Sequence, residues 1–165
     1  MTAQQSAAFD AFVTALDNSL VVVTTRVGAQ RTGCLVGFAA QVSIEPRRFL
    51  VGISKQNHTY RIAMRAGHLA VHLLDERQLP LATLFGSETG DEIDKFTHCE
   101  WHPGPANLPI LDAAAGWFCG RIVERHDVGD HIAMILAPEG AAAPAKPVRP
   151  LRYRAVADLP PGHPA

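Results

Sequence analysis

The sequence predicts a mainly β protein, an antiparallel barrel with short flanking helices. Apolar, β-branched runs of strand length recur along the chain, among them Leu20-Val-Val-Val-Thr-Thr-Arg26, Arg48-Phe-Leu-Val-Gly-Ile-Ser54 and Gly67-His-Leu-Ala-Val-His-Leu-Leu74. Most follow one another directly, giving six or seven strands against three short helices. A doubly wound α/β fold is disfavoured, because Gly28, Gly33 and Gly37 miss the GxGxxG spacing and strand, not helix, follows them.

At 165 residues, with 47% hydrophobic and 19% charged residues, the chain has the composition of an ordinary globular domain. Such a length buries roughly 70% of the surface the unfolded chain exposes. Residues 1–158 are expected to form one domain and 159–165 a loose tail. The net charge of −1 is spread along the chain, with no basic run for phosphodiester backbones or anionic lipid. Neither nucleic acid nor a membrane is therefore an expected partner. Met1-Thr-Ala-Gln-Gln5 opens no charged and then apolar leader, and no window approaches the ~18 apolar residues of a membrane span, so a cytoplasmic protein is expected. Three widely spaced cysteines, Cys34, Cys99 and Cys119, do not make a disulfide framework.

Taken in order, Ser6 is the expected N-cap of an amphipathic helix over 7–17, with Phe9, Phe12, Val13 and Leu16 at helical spacing. The first strand, 20–26, turns through Val27-Gly-Ala-Gln30 into a second over 31–43. There Gly33, Gly37, Ala39 and Ala40 would let a flat ligand approach the backbone, or let a barrel strand turn a corner. Glu45-Pro46 ends it, and a third strand spans 48–54 with Phe49, Val51 and Ile53 on one face. A helix over 59–65 follows the polar loop Ser54-Lys-Gln-Asn-His58, then a strand over 67–74. Next come a helix over 78–85 capped at Gly86, a helical turn over 91–95, and a loop over 102–109. Strands over 114–125 and 131–138 flank the turn Val128-Gly-Asp130. A linker over 141–147 leads to a last strand over 148–154.

Four constellations can carry chemistry. The small-residue second strand suits a planar ligand. Ser54-Lys55-Gln56-Asn57-His58-Thr59 offers hydroxyls, an amide and a cation to an anion, or simply caps the following helix. Lys95 is either a point charge for a phosphate or a solvated surface residue, and Phe85 and Phe96 are an apolar wall or plain core. His131, beside Asp130 at a strand turn, can face a ligand. Metal and nucleophile readings find little support. His98-Cys99 with His102 lacks a CxxC partner, His68 and His72 are four apart on a strand, and no nucleophile elbow surrounds Ser43, Ser54 or a cysteine.

Val21-Val-Val-Thr-Thr25, Gly33 to Ser43, Ile44-Glu-Pro46, Ser54 with Asn57-His-Thr59, Asp94-Lys-Phe96, Pro109-Ile-Leu111 and Gly129-Asp-His131 occur in that order. Over residues 7–154 this series resembles the flavin reductase-like proteins built on the FMN-binding split barrel. The resemblance implies an antiparallel split β-barrel that binds FMN or FAD and takes NAD(P)H as co-substrate. It also implies a homodimer and a possible monooxygenase partner.

It further implies that the flavin lies along Leu35, Val36, Gly37, Phe38, Ala39, Gln41, Val42 and Ser43. The phosphate would then sit near Ser54, Lys55, Asn57, His58 and Thr59, with Phe85, Lys95 and Phe96 at the periphery and His131 on the nicotinamide side. Many members of that family carry a Thr-x-Asn-Ser type cluster where this chain has Leu35-Val36-Gly37-Phe38, so fewer side-chain hydrogen bonds reach the flavin here. An NAD(P)H:flavin oxidoreductase is the expected activity. The alternatives are a flavin-binding module with little nicotinamide oxidase activity, a deazaflavin or haem binder on the same barrel, and a protein with no cofactor.

Overall fold

A computed structural model describes residues 1–162. Three helices, α1 (Ala3–Leu16), α2 (His58–Ala63) and α3 (Leu79–Ser87), flank nine strands. These are β1 (Val21–Val27), β2 (Gln30–Val36), β3 (Phe38–Ser43), β4 (Arg48–Ser54), β5 (His68–Leu73), β6 (Trp101–Pro103), β7 (Pro109–Leu111), β8 (Gly116–Asp127) and β9 (His131–Ala142). Seven of them form one antiparallel sheet in the order β2-β1-β5-β8-β9-β4-β3, while β6 and β7 pair separately. The mainly β, antiparallel prediction holds. No described helix is long and apolar enough to cross a membrane.

The apolar run of β1 is continuous because both of its faces are buried. Val21 and Val23 point into a core with Cys34, Val36, Val51, Ile53, Leu69, Met134 and Leu136. Leu20 and Val22 point the other way, into a second core under α3 with Leu74, Leu81, Phe85, Phe96, Leu111 and Leu151. Alternation along a strand thus feeds two cores from one segment.

The largest correction concerns the second predicted strand. It is two strands, and they lie at opposite ends of the sheet. Val36 pairs with Val21, the first residue of β1, so beyond Val36 the chain has no partner left on that side. At Gly37 it leaves β1 and pairs Phe38 with Gly52 of β4 instead. That change of partner curls the sheet and opens a cleft at the bend.

Smaller departures have local causes. Helix α1 starts earlier than expected, because Thr2 and not Ser6 is the cap: Thr2 Oγ1 accepts the Gln5 N–H at 3.2 Å and Gln5 Oε1 accepts the Thr2 N–H at 2.8 Å. Its amphipathic face does not enter a core either, since Phe9, Phe12 and Leu16 are exposed and α1 buries no side chain. Helix α3 runs through Gly86, whose bare Cα faces Leu35; a Cβ there would come within 2.9 Å of Leu35 Cδ2. The helical turn expected at 91–95 forms at Lys95–Thr97.

The expected loop 102–109 is the β6–β7 hairpin around a short 3₁₀ turn. The expected last strand, 148–154, makes only the isolated bridges Ser19–Arg152 and Asp75–Pro150 before a 3₁₀ turn at Tyr153–Ala155. Within the expected loose tail, the Gly162 N–H donates to Gly86 O at 3.1 Å; residues 163–165 lie outside the described residues.

Candidate functional site

A cavity of about 610 Å³ opens where β2 hands over to β3. Its wall is Cys34, Leu35, Val36, Gly37 and Phe38; Gly52, Ile53 and Ser54 of β4, Asn57, and His131 of β9 form the opposite end. Phe9, Asp10, Val13 and Thr14 of α1 cover it from above, with Tyr153 and Val156 from the C-terminal segment. The volume falls in the range of about 300–1,000 Å³ usual for small-molecule and cofactor sites, and an apolar wall with a few converging polar groups is their usual lining.

The strand register explains why these residues meet. Phe38 pairs with Gly52 and Ser54 pairs with His131, and partners across a pair share a face, as do residues two apart on a strand. Phe38, Gly52, Ser54 and His131 therefore stand on one face of the sheet.

At the polar end, Ser54 Oγ accepts the Gln56 N–H at 3.3 Å, and Asn57 Oδ1 caps α2 by accepting the Thr59 N–H at 2.9 Å. The expected helix cap is thus formed, while Ser54 and Asn57 still line the cavity. His131 Nδ1 meets Asp130 Oδ1 at 2.7 Å, and this contact holds the Asp130 carboxyl below its ordinary range. With its hydrogen on Nδ1, the imidazole keeps Nε2 free of hydrogen bonds among the described residues. The Cys34 thiol lies in the wall fully buried, and burial pushes its pKa up to about 11, so it is a protonated apolar surface and not a nucleophile.

Of the residues singled out in the sequence, Leu35, Val36, Gly37, Phe38, Ser54, Asn57 and His131 come together in this cavity. Others lie elsewhere. Ala39 packs on the inner core, and Gln41, Val42 and Ser43 continue along the edge strand, Gln41 Nε2 donating to Ser43 O at 3.1 Å. Lys55 is turned onto Asp127 at 2.7 Å. Thr59 is buried, its hydroxyl 2.9 Å from that of Thr32.

His58 pairs with Asp91 at 2.9 Å and, with Lys95 and Phe96, lines a second hollow of about 300 Å³ beside Arg31 and Asp94. Lys95 is not a solvated surface residue. It is buried and donates to Gly33 O at 3.2 Å and Phe85 O at 3.0 Å, with its pKa pulled down by burial. Phe85 and Phe96 meet edge to face in the second core, with centroids 5.7 Å apart.

Sequence reasoning missed the contributions of α1 and of Tyr153 and Val156. No local signal marks them, because an apolar helical stripe looks the same whether it faces a core or a cavity.

The fold agrees with what the chain is similar to. Residues 14–157 match the family described as "Flavin reductase like domain". The FMN reductase (NADH) RutF of Methylorubrum extorquens is 31% identical over 138 residues, 84% of this chain and 67% of that protein. The reductase component of a flavin-dependent trigonelline monooxygenase from Acinetobacter baylyi is 28% identical over 126 residues, 76% of this chain and 40% of that protein. The chain thus spans between about two fifths and two thirds of these curated relatives. Among solved structures, a flavin reductase domain protein from Arthrobacter superposes with a TM-score of 0.77 over 95% of this chain and 96% of its own, at 20% identity. Sequence match and shared fold lead to one conclusion: the chain belongs to the flavin reductase-like family.

Proposed function

We propose that this chain is an NAD(P)H:flavin oxidoreductase that reduces FMN, or FAD, and passes the reduced flavin to a separate monooxygenase. NADH with FMN is the first pair to test. One observation carries the reading: a cofactor-sized cavity at the β2–β3 bend, apolar and close to the backbone on one side, ends in Ser54, Asn57 and His131 on the other. These residues fit a flavin, because Gly37 leaves its wall open, a Cβ there meeting only Leu20 Cδ2 at 3.5 Å.

When bound, the flavin supplies the hydride-accepting ring and the nicotinamide supplies the hydride. The protein's task is then placement and exclusion of water. Leu35, Val36 and Phe38 present a dry wall, Ser54 and Asn57 hold the polar end, and Asp130 fixes the tautomer of His131 for a polar contact with the incoming nicotinamide. No general base is required of the chain.

The test is the visible spectrum of the protein with added FMN or FAD, followed during anaerobic addition of NADH or NADPH. Bleaching supports the oxidoreductase. Binding without bleaching supports the flavin-binding module, a reading favoured by the apolar Leu35, Gly37 and Phe38 where the resemblance leads one to expect polar side chains. Replacing His131 with alanine should raise the nicotinamide KM about tenfold, the size of one lost polar contact of ~1.4 kcal/mol, and leave the flavin Kd nearly unchanged. Unchanged steady-state kinetics would remove His131 from the nicotinamide side.

The same reading takes residues 1–158 as one flavin-binding domain, cytoplasmic and homodimeric. The exposed Phe9, Phe12 and Leu16 of α1 and Val42 and Ile44 beside the β3 edge support an apolar contact with a second copy. A monomeric mass by light scattering at micromolar concentration would overturn the dimer.

A further inference from the structure

Phe38 keeps 52% of its surface exposed although it is large and apolar, so the core does not account for it. Its ring instead reaches His131, with centroids 4.9 Å apart and planes inclined at 60°. The two residues belong to β3 and β9, which are separated by β4, so their backbones lie roughly 10 Å apart. The Phe38 side chain spans that gap only because the residue opposite it on β4 is Gly52: a Cβ on Gly52 would stand 3.0 Å from Phe38 Cβ and 3.5 Å from Cδ2. The imidazole is thus gripped on two sides, by Asp130 at Nδ1 and by the Phe38 ring across the bare strand. With about a fifth of its side chain exposed, 21%, His131 has little freedom beyond the cavity edge.

We propose that Phe38 is a positioning residue for His131, and that Gly52 is glycine so that the Phe38 ring can cross β4 to reach it. Because an aromatic ring prefers tilted contact with a neighbouring π system, Phe38 fixes the tilt of the imidazole, and the Asp130 bond then fixes its tautomer. The pair presents Nε2 in one orientation to a nicotinamide at the cavity mouth. In that last step the inference rests on the oxidoreductase reading; the gripping of the imidazole does not.

Two measurements separate these levels. The first is the ¹⁵N and ¹H spectrum of the His131 ring in protein without added flavin, for the parent and for Phe38→Leu, Phe38→Tyr and Gly52→Ala. Phe38→Tyr should keep the parent's single Nδ1–H tautomer and shifted ring protons, whereas Phe38→Leu and Gly52→Ala should lose the shift and mix tautomers. Ring signals unchanged in both Phe38→Leu and Gly52→Ala would overturn the proposal whatever the enzyme does.

The second is the nicotinamide KM in a double-mutant cycle. Phe38→Leu should raise KM about three- to tenfold in the parent and have no further effect in His131→Ala, with Phe38→Tyr close to the parent. An equal effect of Phe38→Leu in both backgrounds would show that the ring acts by itself and would overturn the positioning role. Absence of any nicotinamide oxidation by the parent would sink the oxidoreductase reading while leaving the ring spectra to decide the contact.

Discussion

Replacing Phe85 with alanine is expected to lower the unfolding free energy by about 3–5 kcal/mol, the cost of removing a large aromatic from a packed core. Phe85 is 1% exposed and stands at the centre of the second core. Its ring fills the space left by Gly33, where a Cβ would lie 2.8 Å from Phe85 Cε1, and it meets Phe96 edge to face. The Lys95 ammonium sits 5.5 Å from the ring centroid while donating to the Phe85 carbonyl, so the vacated volume would border a buried cation as well. Phe85→Leu keeps most of the volume and should cost much less, under about 1.5 kcal/mol plus the lost ring contacts.

Denaturant unfolding of the three proteins checks this; equal stabilities would mean that the β2–α3 packing collapses freely around a hole. Flavin titration of Phe85→Leu asks separately whether Phe85 is part of the cofactor wall. A ring so buried offers a ligand no surface, and the Kd is expected to change less than about twofold.

Stability is also expected to fall steeply between pH 6.5 and pH 4 because of His72. This histidine is fully buried between β1 and the β6–β7 hairpin, its Nδ1–H donating to Val22 O at 3.0 Å and its Nε2 accepting the Leu111 N–H at 3.2 Å. Both nitrogens are thus committed to the neutral ring. A second proton on Nε2 would face the Leu111 N–H donor in a fully buried site.

Burial pulls the pKa from 6.5 down to about 4, the Val22 hydrogen bond opposing and the nearby His102 adding slightly to the effect. Between those values the unfolded chain binds a proton that the folded one refuses, so folding loses free energy as pH falls. The full span is on the order of 3 kcal/mol, present above pH 6.5 and lost by pH 4.

Asp75 and Asp91 titrate below this window. The Arg77 side chain holds Asp75, and the Arg61 side chain holds Asp91, down to about 2, so their contributions are lost only as pH falls from about 4 toward 2. The measurement is unfolding free energy against pH for the parent and for His72→Gln, whose amide keeps one donor and one acceptor without the titration. A flat profile between pH 4 and 6.5 in the glutamine variant, at some constant cost, is the expected result. Equal slopes in the two proteins would show that another group carries the proton.

How far the sequence alone reached differs from element to element. The Leu20–Arg26 run, the Arg48–Ser54 strand and the turn at Gly129 were legible because burial on two faces, period-two alternation and a glycine at positive φ, +122° for Gly129, each leave a local mark. The helix cap at Asn57 was legible for the same reason. The Lys95 ammonium was not. A lysine beside an aspartate has the composition of a surface turn, and only the convergence of the Gly33 and Phe85 carbonyls on one point makes a buried site for it. The apolar stripe of α1 was legible as a stripe, but that it borders the cavity and solvent instead of a core was not.

By itself, then, the sequence determined most strands of the main sheet, the antiparallel class, the family, and a list of candidate residues in which Leu35 to Phe38, Ser54, Asn57 and His131 are the members that meet in the cavity. The tertiary structure decided that residues 31–43 divide at Gly37 and pair at opposite ends of one sheet, and it thereby decided which listed residues share the cavity and which do not. The physical reason is that strand propensity, caps and turns act over a few neighbouring residues, whereas sheet order is a competition among distant edges. Val36 had exhausted its partner in β1, and the free edge of β4, with Gly52 open to receive Phe38, was the place where the next backbone hydrogen bonds could be made.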